Sequence, residues 1–169
     1  ACKSTILKLI LGMYIPQGGR IIIDGHNIKQ LEPLTLRQSV SYAPARDMIF
    51  LGTFRSNFRN VNPGISDERI SEIAAMTGLA AYMMDFDYSL DTPITEPFLN
   101  ELSPSFKKLF CLTRMLARDV KLYLIDEPEN HLNANDLDRV IRLVRILSKE
   151  QKATVIISTK NKQILNHCN

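Results

Sequence analysis

The pattern of hydrophobic and polar positions changes period several times along the chain. Short apolar runs bounded by turn residues predict four β-strands, at 20–23, 40–43, 122–125 and 154–157. Apolar positions that recur three or four residues apart predict four helices, at 5–13, 54–58, 66–84 and 134–150. Strands and helices therefore alternate towards both ends of the chain, and the middle is mainly helical.

Local signals mark several element boundaries. Asp24-Gly25 is a hairpin turn signal before a second short strand at 26–28. The helix at 66–84 has a suitable N-terminal cap in Ser66 or Asp67. These signals support a hairpin near the N-terminus and one long helix in the middle of the chain.

A second helix start lies further along. Ser103 is a suitable N-cap and Pro104 suits the first helical position, so a helix is expected to begin there. Residues 85–101 include two prolines and are expected to form a loop. Strands that alternate with helices at both ends predict an α/β fold with a parallel sheet.

Composition fits one globular domain. The chain has 169 residues, of which 45% are hydrophobic and 23% charged, so it can bury a sizeable core. Its net charge of +3 is too small to indicate a nucleic-acid partner. Three arginines lie opposite the apolar positions of the helix at 134–150 and are expected to form a solvated face: Arg139, Arg142 and Arg145.

Cysteine usage and hydropathy bear on location. Cys2, Cys111 and Cys168 are odd in number and lack paired spacing, which favours reduced thiols in the cytosol. The longest apolar stretch, 6–15, is interrupted by Lys8 and is far too short to span a bilayer. We expect no signal peptide before it. Any membrane role is therefore expected to come through a partner.

The segment Cys2-Lys3-Ser4-Thr5 resembles the last residues of a phosphate-binding loop. The full pattern of such a loop is G-x-x-x-x-G-K-[ST]. In such a loop backbone N–H groups surround phosphates, the lysine reaches the terminal phosphates and the Ser/Thr hydroxyl binds Mg²⁺. Lys3 and Ser4 are thus candidate ligands of a nucleotide and its magnesium ion. The same residues would also suit an ordinary helix start.

A second candidate segment lies far downstream. The strand predicted at 122–125 delivers Asp126 and Glu127 at its C-terminal end, where open α/β sheets bind their ligands. Asp126 could hold magnesium through water, and Glu127 could act as a general base towards an attacking water. The two carboxylates could instead cap the following turn. Because a magnesium nucleotide requires both segments, their occurrence in this order predicts an ATP site.

With these motifs in view, the chain resembles the ATP-binding domain of ABC transporters, and within that family the exporter type. Segments through nearly the whole length match in order, at 19–25, 36–44, 50–57, 91–92, 102–103, 112–114 and 126–128. The stretch at 50–57 is typical of exporters. The resemblance implies a P-loop NTPase fold with an ABC-type ATPase core, a parallel sheet and an inserted helical subdomain.

The resemblance also implies boundaries within the chain. We expect 1–169 to be one ABC ATPase domain, with a RecA-like core at about 1–44 and 109–169. The helical subdomain is expected at about 45–108. The strands that carry the family's adenine-stacking residue, and its final helices, are not found in this sequence, so we expect a fragment of such a domain.

Cofactors and partners follow from the resemblance as expectations. The family binds ATP with Mg²⁺, and Ser4 and Asp126 match its magnesium positions. Two such domains pair head-to-tail, each closing its signature segment over the other's nucleotide. The expected partners are therefore a transmembrane domain and a second ABC ATPase domain, at the cytoplasmic face of the cell membrane.

The sequence departs from the family at its chemical positions. Cys2 replaces a glycine of the phosphate loop, which adds a Cβ where backbone approaches phosphate. Ala45 replaces a glutamine that couples magnesium to the transmembrane partner, and alanine has no acceptor. Lys160 stands at the switch histidine, or is simply a solvated lysine. Asn133 replaces an aspartate that contacts the opposite subunit.

The signature segment is altered as well. Leu102, Ser103, Pro104, Ser105 and Phe106 replace Leu-Ser-Gly-Gly-Gln of the family. The proline has no N–H, and the second serine resists the positive φ open to glycine. The phenylalanine removes the amide altogether. The segment either keeps part of its phosphate role or serves only as a good helix start.

These observations predict an ATP-binding domain of an ABC exporter whose ATPase activity is impaired. The candidate binding residues are Cys2, Lys3, Ser4, Thr5, Asp126 and Lys160, with Glu127 as catalytic base. An alternative is a non-hydrolysing regulatory or structural module of a heterodimer. A third interpretation, a soluble ribosome-associated ABC protein, is suggested by residues 127–132, whereas the exporter-like stretch at 50–57 argues against it.

Overall fold

The computed structural model describes residues 3–168. The first half of the chain contains the helices α1 to α5 and the strands β1 to β4. In chain order these are α1 Lys3–Ile10, β1 Ile22–Ile23, β2 His26–Asn27, α2 Pro33–Ser39, β3 Val40–Ala43, β4 Gly52–Thr53, α3 Phe54–Arg59, α4 Asp67–Thr77 and α5 Leu79–Asp85. A 3₁₀ turn, Ile28–Gln30, precedes α2.

The second half contains four helices and three strands. In chain order these are β5 Pro93–Ile94, α6 Glu96–Glu101, α7 Pro104–Met115, β6 Leu122–Asp126, α8 Ala134–Arg145, β7 Thr154–Ser158 and α9 Lys162–Leu165. A π-helical turn, Ile146–Glu150, continues α8. The predicted helix at 134–150 therefore ends in a wider final turn.

A three-stranded parallel sheet carries the fold, in the order β3-β6-β7. Val40 pairs with Leu122, and Leu122 pairs in turn with Thr154 on its other side. Asp126, the last residue of β6, pairs with Ser158, the last residue of β7. The prediction of an α/β fold with a parallel sheet is confirmed, and the carboxyl ends of β6 and β7 lie at one edge.

The hairpin signal is also confirmed. β1 and β2 pair antiparallel, and the turn between them places Asp24 and Gly25 at φ values of 48° and 81°. Glycine and aspartate adopt such left-handed backbone conformations more readily than most residues. A second antiparallel pair, between β4 and β5, joins two segments that are 40 residues apart in sequence and was not predicted.

The helix predicted at 66–84 is two helices. Ser66 caps α4 by accepting a hydrogen bond from the Arg69 N–H, as expected for one of the two proposed caps. Gly78 then ends α4 with a φ of 85° and begins α5. The Arg139 side chain occupies the space beside Gly78, where an added Cβ would lie 2.2 Å from its Nη1. Glycine suits this position because a residue with a side chain would be strained at this positive φ.

The loop expected at 85–101 is only partly a loop. It contains β5 and the short helix α6, which Thr95 caps by accepting a hydrogen bond from the Phe98 N–H. Pro97 lies in the first turn of α6, where its missing N–H has no helical partner to lose. The two prolines therefore shape short elements and do not exclude them.

Two apolar clusters sit on either side of the parallel sheet. The larger lies between the sheet, α7 and the helices of the middle segment, and includes Phe54, Phe58, Phe106 and Phe110. The smaller packs α1 and α2 on the other face, through Leu7 and other aliphatic side chains. The sheet is thus covered on both faces, and its C-terminal edge stays open to polar groups.

Candidate functional site

Polar groups from α1, β6 and β7 meet at the C-terminal edge of the sheet. Lys3 is the first residue of α1, and its Nζ donates to the carbonyl oxygen of Thr159 at 3.3 Å. The same Nζ lies 3.9 Å from Oε1 of Glu127. Because 156 positions separate Lys3 from Thr159, only the fold brings them together. Cys2 lies outside the described residues.

The neighbouring residues of α1 have no comparable contacts. Ser4 is half-buried and Thr5 is exposed, both in the first turn. No hydrogen bond of either side chain occurs within residues 3–168. Within the described part of the chain, neither hydroxyl is committed to another side chain or to the backbone.

Three side-chain atoms at this edge are buried without a hydrogen-bond partner among the described residues. They are Oδ1 of Asp126, Oε2 of Glu129 and Oγ of Ser158. Asp126 is only 2% exposed, and buried polar atoms in native proteins are almost always paired. Such a group of unpaired oxygens is expected where a protein binds a cation or another polar ligand.

Tyr42, on β3, is close enough to the Asp126 carboxylate to be affected by its charge. Burial raises the pKa of Tyr42 to about 12, and the negative charge of Asp126 contributes to the shift. The phenol therefore stays neutral at physiological pH. The polar groups at this edge of the sheet therefore include a residue of β3 as well as those of β6 and β7.

Glu127 is held in an unusual backbone conformation. Its φ is 47°, in the left-handed region that is costly for a residue with a Cβ. Its N–H donates to the Ser158 carbonyl oxygen at 2.7 Å, and its Oε2 accepts from the Asn130 side chain at 3.0 Å. These two hydrogen bonds hold the Glu127 carboxylate near Lys3.

Glu129 belongs to this cluster, although the sequence analysis gave it no role. Its Oε1 accepts a hydrogen bond from the backbone N–H of Lys160 at 2.9 Å. The Lys160 side chain itself is exposed. The available signal was the spacing, because Glu129 is the third acidic residue within the four positions 126–129, which begin at the last residue of β6. Only the fold shows that it ties this loop to the end of β7.

The signature segment takes a different environment. Ser103 caps α7 by accepting a hydrogen bond from the Phe106 N–H at 3.1 Å, and Pro104 is the first helical residue, as predicted. The Ser105 hydroxyl donates to the carbonyl oxygen of His131 at 2.6 Å. Leu102 is 5% exposed and lies in the larger core cluster. The segment is therefore bound to its own chain at several points.

Phe106 is a core residue. It is 1% exposed, and its ring centroid lies 5.6 Å from that of Phe54 and 5.8 Å from that of Tyr88. Phe110 stacks on its other side at 6.2 Å with an interplanar angle of 15°. The side chain that replaces the family's glutamine amide thus fills the apolar centre of the molecule.

A buried lysine contacts the backbone of Ala45, the residue that stands where the family has a glutamine. Lys108 of α7 is 2% exposed, and its Nζ donates to the Ala45 carbonyl oxygen at 3.0 Å. The same Nζ lies 2.9 Å from Oδ1 of Asp47. The segment after β3 is therefore fixed to α7 by a buried ion pair, which the sequence did not indicate.

Asn133 has a local role in this chain. It caps α8, and its Nδ2 donates to Oδ2 of Asp136 at 2.7 Å. The Tyr82 hydroxyl of α5 donates to the same oxygen at 2.7 Å. Burial is the main cause that raises the pKa of Tyr82, with the Asp136 carboxylate contributing. The network connects α5 to α8.

A sequence model of the ABC transporter family matches residues 1–130. The chain belongs to the ABC transporter family. The predicted family and P-loop NTPase fold are thereby confirmed, and membership implies a nucleotide-binding domain. The unpaired oxygens at the sheet edge lie where such a fold binds its ligand.

Individual relatives agree with this assignment. A putative export ATP-binding/permease protein of Rickettsia bellii is 31% identical over 147 residues, which are 87% of this chain and 25% of that protein. The glutathione/L-cysteine transport system ATP-binding/permease protein CydC of Escherichia coli is 30% identical over 154 residues, or 91% of this chain and 26% of that protein. The chain thus spans about a quarter of the length of these curated relatives.

A solved structure shows the same fold. A bacterial Atm1-family ABC exporter with ATP bound matches with a TM-score of 0.87 at 24% sequence identity. The match covers 96% of this chain and 28% of that one. Within residues 3–168, no helix combines the length and the hydropathy that crossing a membrane would require.

Proposed function

We propose that this chain is the ATP-binding domain of an ABC exporter, impaired in hydrolysis. The observation that carries the proposal is the cluster of Lys3, Asp126 and Glu127 at the C-terminal edge of the parallel sheet. A cation, a buried carboxylate with an unpaired oxygen and a half-buried carboxylate there suit a magnesium nucleotide.

Each binding residue has a physical role in this proposal. Lys3 exchanges its contacts with Thr159 and Glu127 for the β- and γ-phosphates, which are stronger charge-assisted partners. The remaining loop residues, Cys2 and Thr5, offer backbone N–H groups to the phosphates.

The residues present also fit a magnesium ion. Asp126 has an unpaired buried oxygen and Ser4 a hydroxyl without a side-chain partner within residues 3–168, and oxygen ligands of this kind suit Mg²⁺. Bound there, the ion would neutralise charge on the phosphates. Oδ1 of Asp126 would then gain the partner that it lacks among the described residues.

Glu127 is the proposed general base, and its orientation by Asn130 keeps the carboxylate beside Lys3. Around it, several groups that the family uses are replaced. Ala45 offers no side-chain acceptor, and Lys160 cannot accept a hydrogen bond as a neutral histidine can. Loss of one preorganised donor at a catalytic site costs on the order of 10²–10³ in rate. Turnover should therefore be very slow.

The proposed partners are a transmembrane domain and a second ABC ATPase domain. The relatives are named ATP-binding/permease proteins, and the chain corresponds to only about a quarter of each. We place the domain at the cytoplasmic face of the membrane, with a RecA-like core at about 1–44 and 109–169 and a helical subdomain at about 45–108.

One observation favours a second candidate, a non-hydrolysing regulatory or structural module of a heterodimer. Phe106 lies in the core, and Ser105 is bonded to His131 of the same chain. Both are therefore engaged away from a partner's nucleotide. In this alternative the chain binds ATP weakly and the partner carries the chemistry.

Two measurements test the proposed function. In a thermal-shift titration to millimolar MgATP, the wild-type chain should be stabilised and Lys3→Ala should not, because the lysine charge faces the phosphates. Lys8→Ala, one helical turn away on α1, is the matched control and should keep the shift. Equal shifts in wild type and Lys3→Ala would show that this edge is not a nucleotide site.

Phosphate release with excess MgATP separates the two candidates from an active enzyme. We expect no turnover above background from the chain alone. A rate near 1 s⁻¹, a usual lower range for enzymes, that disappears in Glu127→Gln would overturn the impaired assignment.

A further inference from the structure

A second polar cavity lies along the free edge of β3, apart from the nucleotide cluster. Its volume is about 220 Å³. It is bounded by β3, by the C-terminal half of α7 with Arg118 just beyond it, and by three residues of the segment between them: Pro44, Phe50 and Val61. Neither Lys3, Asp126 nor Glu127 lines this cavity, and no carboxylate does.

Arg114 is the central feature of the cavity. It is 9% exposed, and its Nη1 donates to Oδ1 of Asn57 at 3.2 Å. Its guanidinium carbon lies 5.0 Å above the ring centroid of Phe50. No carboxylate pairs with it anywhere in residues 3–168. A buried cation held only by an amide and an aromatic ring keeps unused donors, since a guanidinium has five N–H groups.

Arg118 supplies a second guanidinium on the same wall. Its Nε donates to the Val61 carbonyl oxygen at 2.7 Å and its Nη1 to the Arg37 carbonyl oxygen at 3.2 Å. These backbone contacts fix the group in place and do not neutralise its charge. Among the described residues Arg118 also forms no ion pair.

Two fixed cations therefore face one small cavity without a protein anion. Burying a charge that has no counter-ion costs several kcal/mol, and burial lowers the pKa of Arg114 for this reason. The volume leaves room for about seven water molecules, at roughly 30 Å³ each. It suits an inorganic ion together with some of its hydration water and is too small for a nucleotide.

We propose that this cavity binds a free tetrahedral oxyanion of the size of phosphate or sulfate, between Arg114 and Arg118. Guanidinium groups bind such ions through paired, charge-assisted hydrogen bonds, and the fixed orientation of both side chains reduces the entropy lost on binding. The site is distinct from the proposed nucleotide site, because Lys3, Asp126 and Glu127 do not line it, and Tyr42 lies between the two.

The experiment uses sulfate as the probe and calorimetry as the readout, at constant ionic strength set with chloride. The Lys3→Ala background removes oxyanion binding at the phosphate loop. In that background sulfate should bind saturably with one site, and Arg114→Gln should weaken the affinity about tenfold or more. Arg142→Gln, which removes an exposed charge of α8, is the matched control and should leave the affinity unchanged.

Arg118→Gln makes the test independent of whether Arg114→Gln folds, which circular dichroism checks. It should weaken sulfate binding to a similar degree, and Arg118→Lys should restore part of it. Unchanged affinity in folded Arg114→Gln or Arg118→Gln would overturn the proposal. So would a heat signal that never saturates, since that indicates only general screening of surface charge.

Discussion

The C-terminal edge of the sheet and the signature segment differ in how their side chains are satisfied within the chain. At the sheet edge, Asp126, Glu129 and Ser158 each keep a buried oxygen without a partner among the described residues. In the signature segment, Ser103 and Ser105 have hydrogen bonds to their own chain. The side chain at 106 lies inside an aromatic cluster.

This difference indicates a binding site at the sheet edge and a structural role for the signature segment. Unpaired buried oxygens lower stability unless a ligand binds them, so their persistence indicates a binding role. An aromatic side chain surrounded by other rings contributes to stability directly. We infer that this chain kept the half of the ABC machinery that binds a nucleotide, while its signature half became part of the core.

The largest expected effect comes from the core. Phe106→Ala should lower the free energy of unfolding by about 4 kcal/mol, because it removes a fully buried ring and leaves a cavity. Chemical denaturation followed by circular dichroism measures the change. Phe86→Ala, at a ring that is 56% exposed, is the control and should cost well under half as much. A small effect at 106 would show that this segment is free for another role.

The same reasoning predicts the result of restoring the family's residues in the signature segment. Replacing Pro104, Ser105 and Phe106 by the family's Gly-Gly-Gln should destabilise the chain, because the last change buries an amide among aromatic rings. It should leave the ATP affinity of the single chain unchanged, since these residues act on a partner's nucleotide in the proposed arrangement. Cys2→Gly should tighten that affinity, because it removes a Cβ near phosphate. Equal tightening by both, measured by calorimetry, would contradict the head-to-tail arrangement.

The buried ion pair should have the next largest effect. Lys108→Met should cost on the order of 3 kcal/mol in unfolding free energy, because it leaves Asp47 buried without its cation. Adding Asp47→Leu should recover much of that loss. Lys149→Met, at an exposed lysine, serves as the control. If Lys108→Met alone is neutral, the segment after β3 is not held by this contact.

Loss of ligand stabilisation should be somewhat smaller. At ATP concentrations about 100 times the dissociation constant, ligand binding adds about 2.7 kcal/mol to the free energy of unfolding. Asp126→Asn should remove the magnesium dependence of this gain, because the amide has one acceptor oxygen and no charge. Denaturation with MgATP and with ATP plus a chelator measures the difference. A magnesium dependence that persists in Asp126→Asn would remove this residue from the metal site.

The smallest expected effect is a pH dependence at Tyr42. Its pKa is raised to about 12 from the ordinary value of 10, so the folded state holds the phenol proton more tightly than the unfolded state does. The associated stability is complete below pH 10 and is lost as the pH rises towards 12. Tyr42→Phe should therefore flatten this part of the alkaline denaturation curve. A curve identical to wild type would show that folding does not raise the pKa of Tyr42.

Much of the fold could be predicted because local pattern and burial agree. The strands at 40–43, 122–125 and 154–157 match the structure to within one residue, since apolar runs suit strands covered on both faces. Gly78 was the available signal for the break between α4 and α5, because glycine adopts the left-handed backbone conformation that ends many helices. The elements within 85–101 were missed because proline was interpreted as a loop signal alone.

The candidate site shows the same division. The sequence placed Lys3, Asp126 and Glu127 at one sheet edge through the order of strands and helices, and the structure brings the three together. The contacts of Glu129 with Lys160 and of Lys108 with Ala45 could not be predicted, because the partners are distant in sequence. Contacts between segments that are far apart leave no periodic signal, so only the folded chain reveals them.

The register of the parallel sheet has a consequence for how the chain folds. Val40 pairs with Leu122, so nearly half of the chain must close as a loop before β3 and β6 can join. Loop closure between distant segments slows folding, whereas the helices α3 to α7 make mostly shorter-range contacts. We expect the aromatic helical segment to form first and shorten that loop. The edge that carries Lys3 and Asp126 would then be completed last, and it would be the part most exposed to misassembly during synthesis.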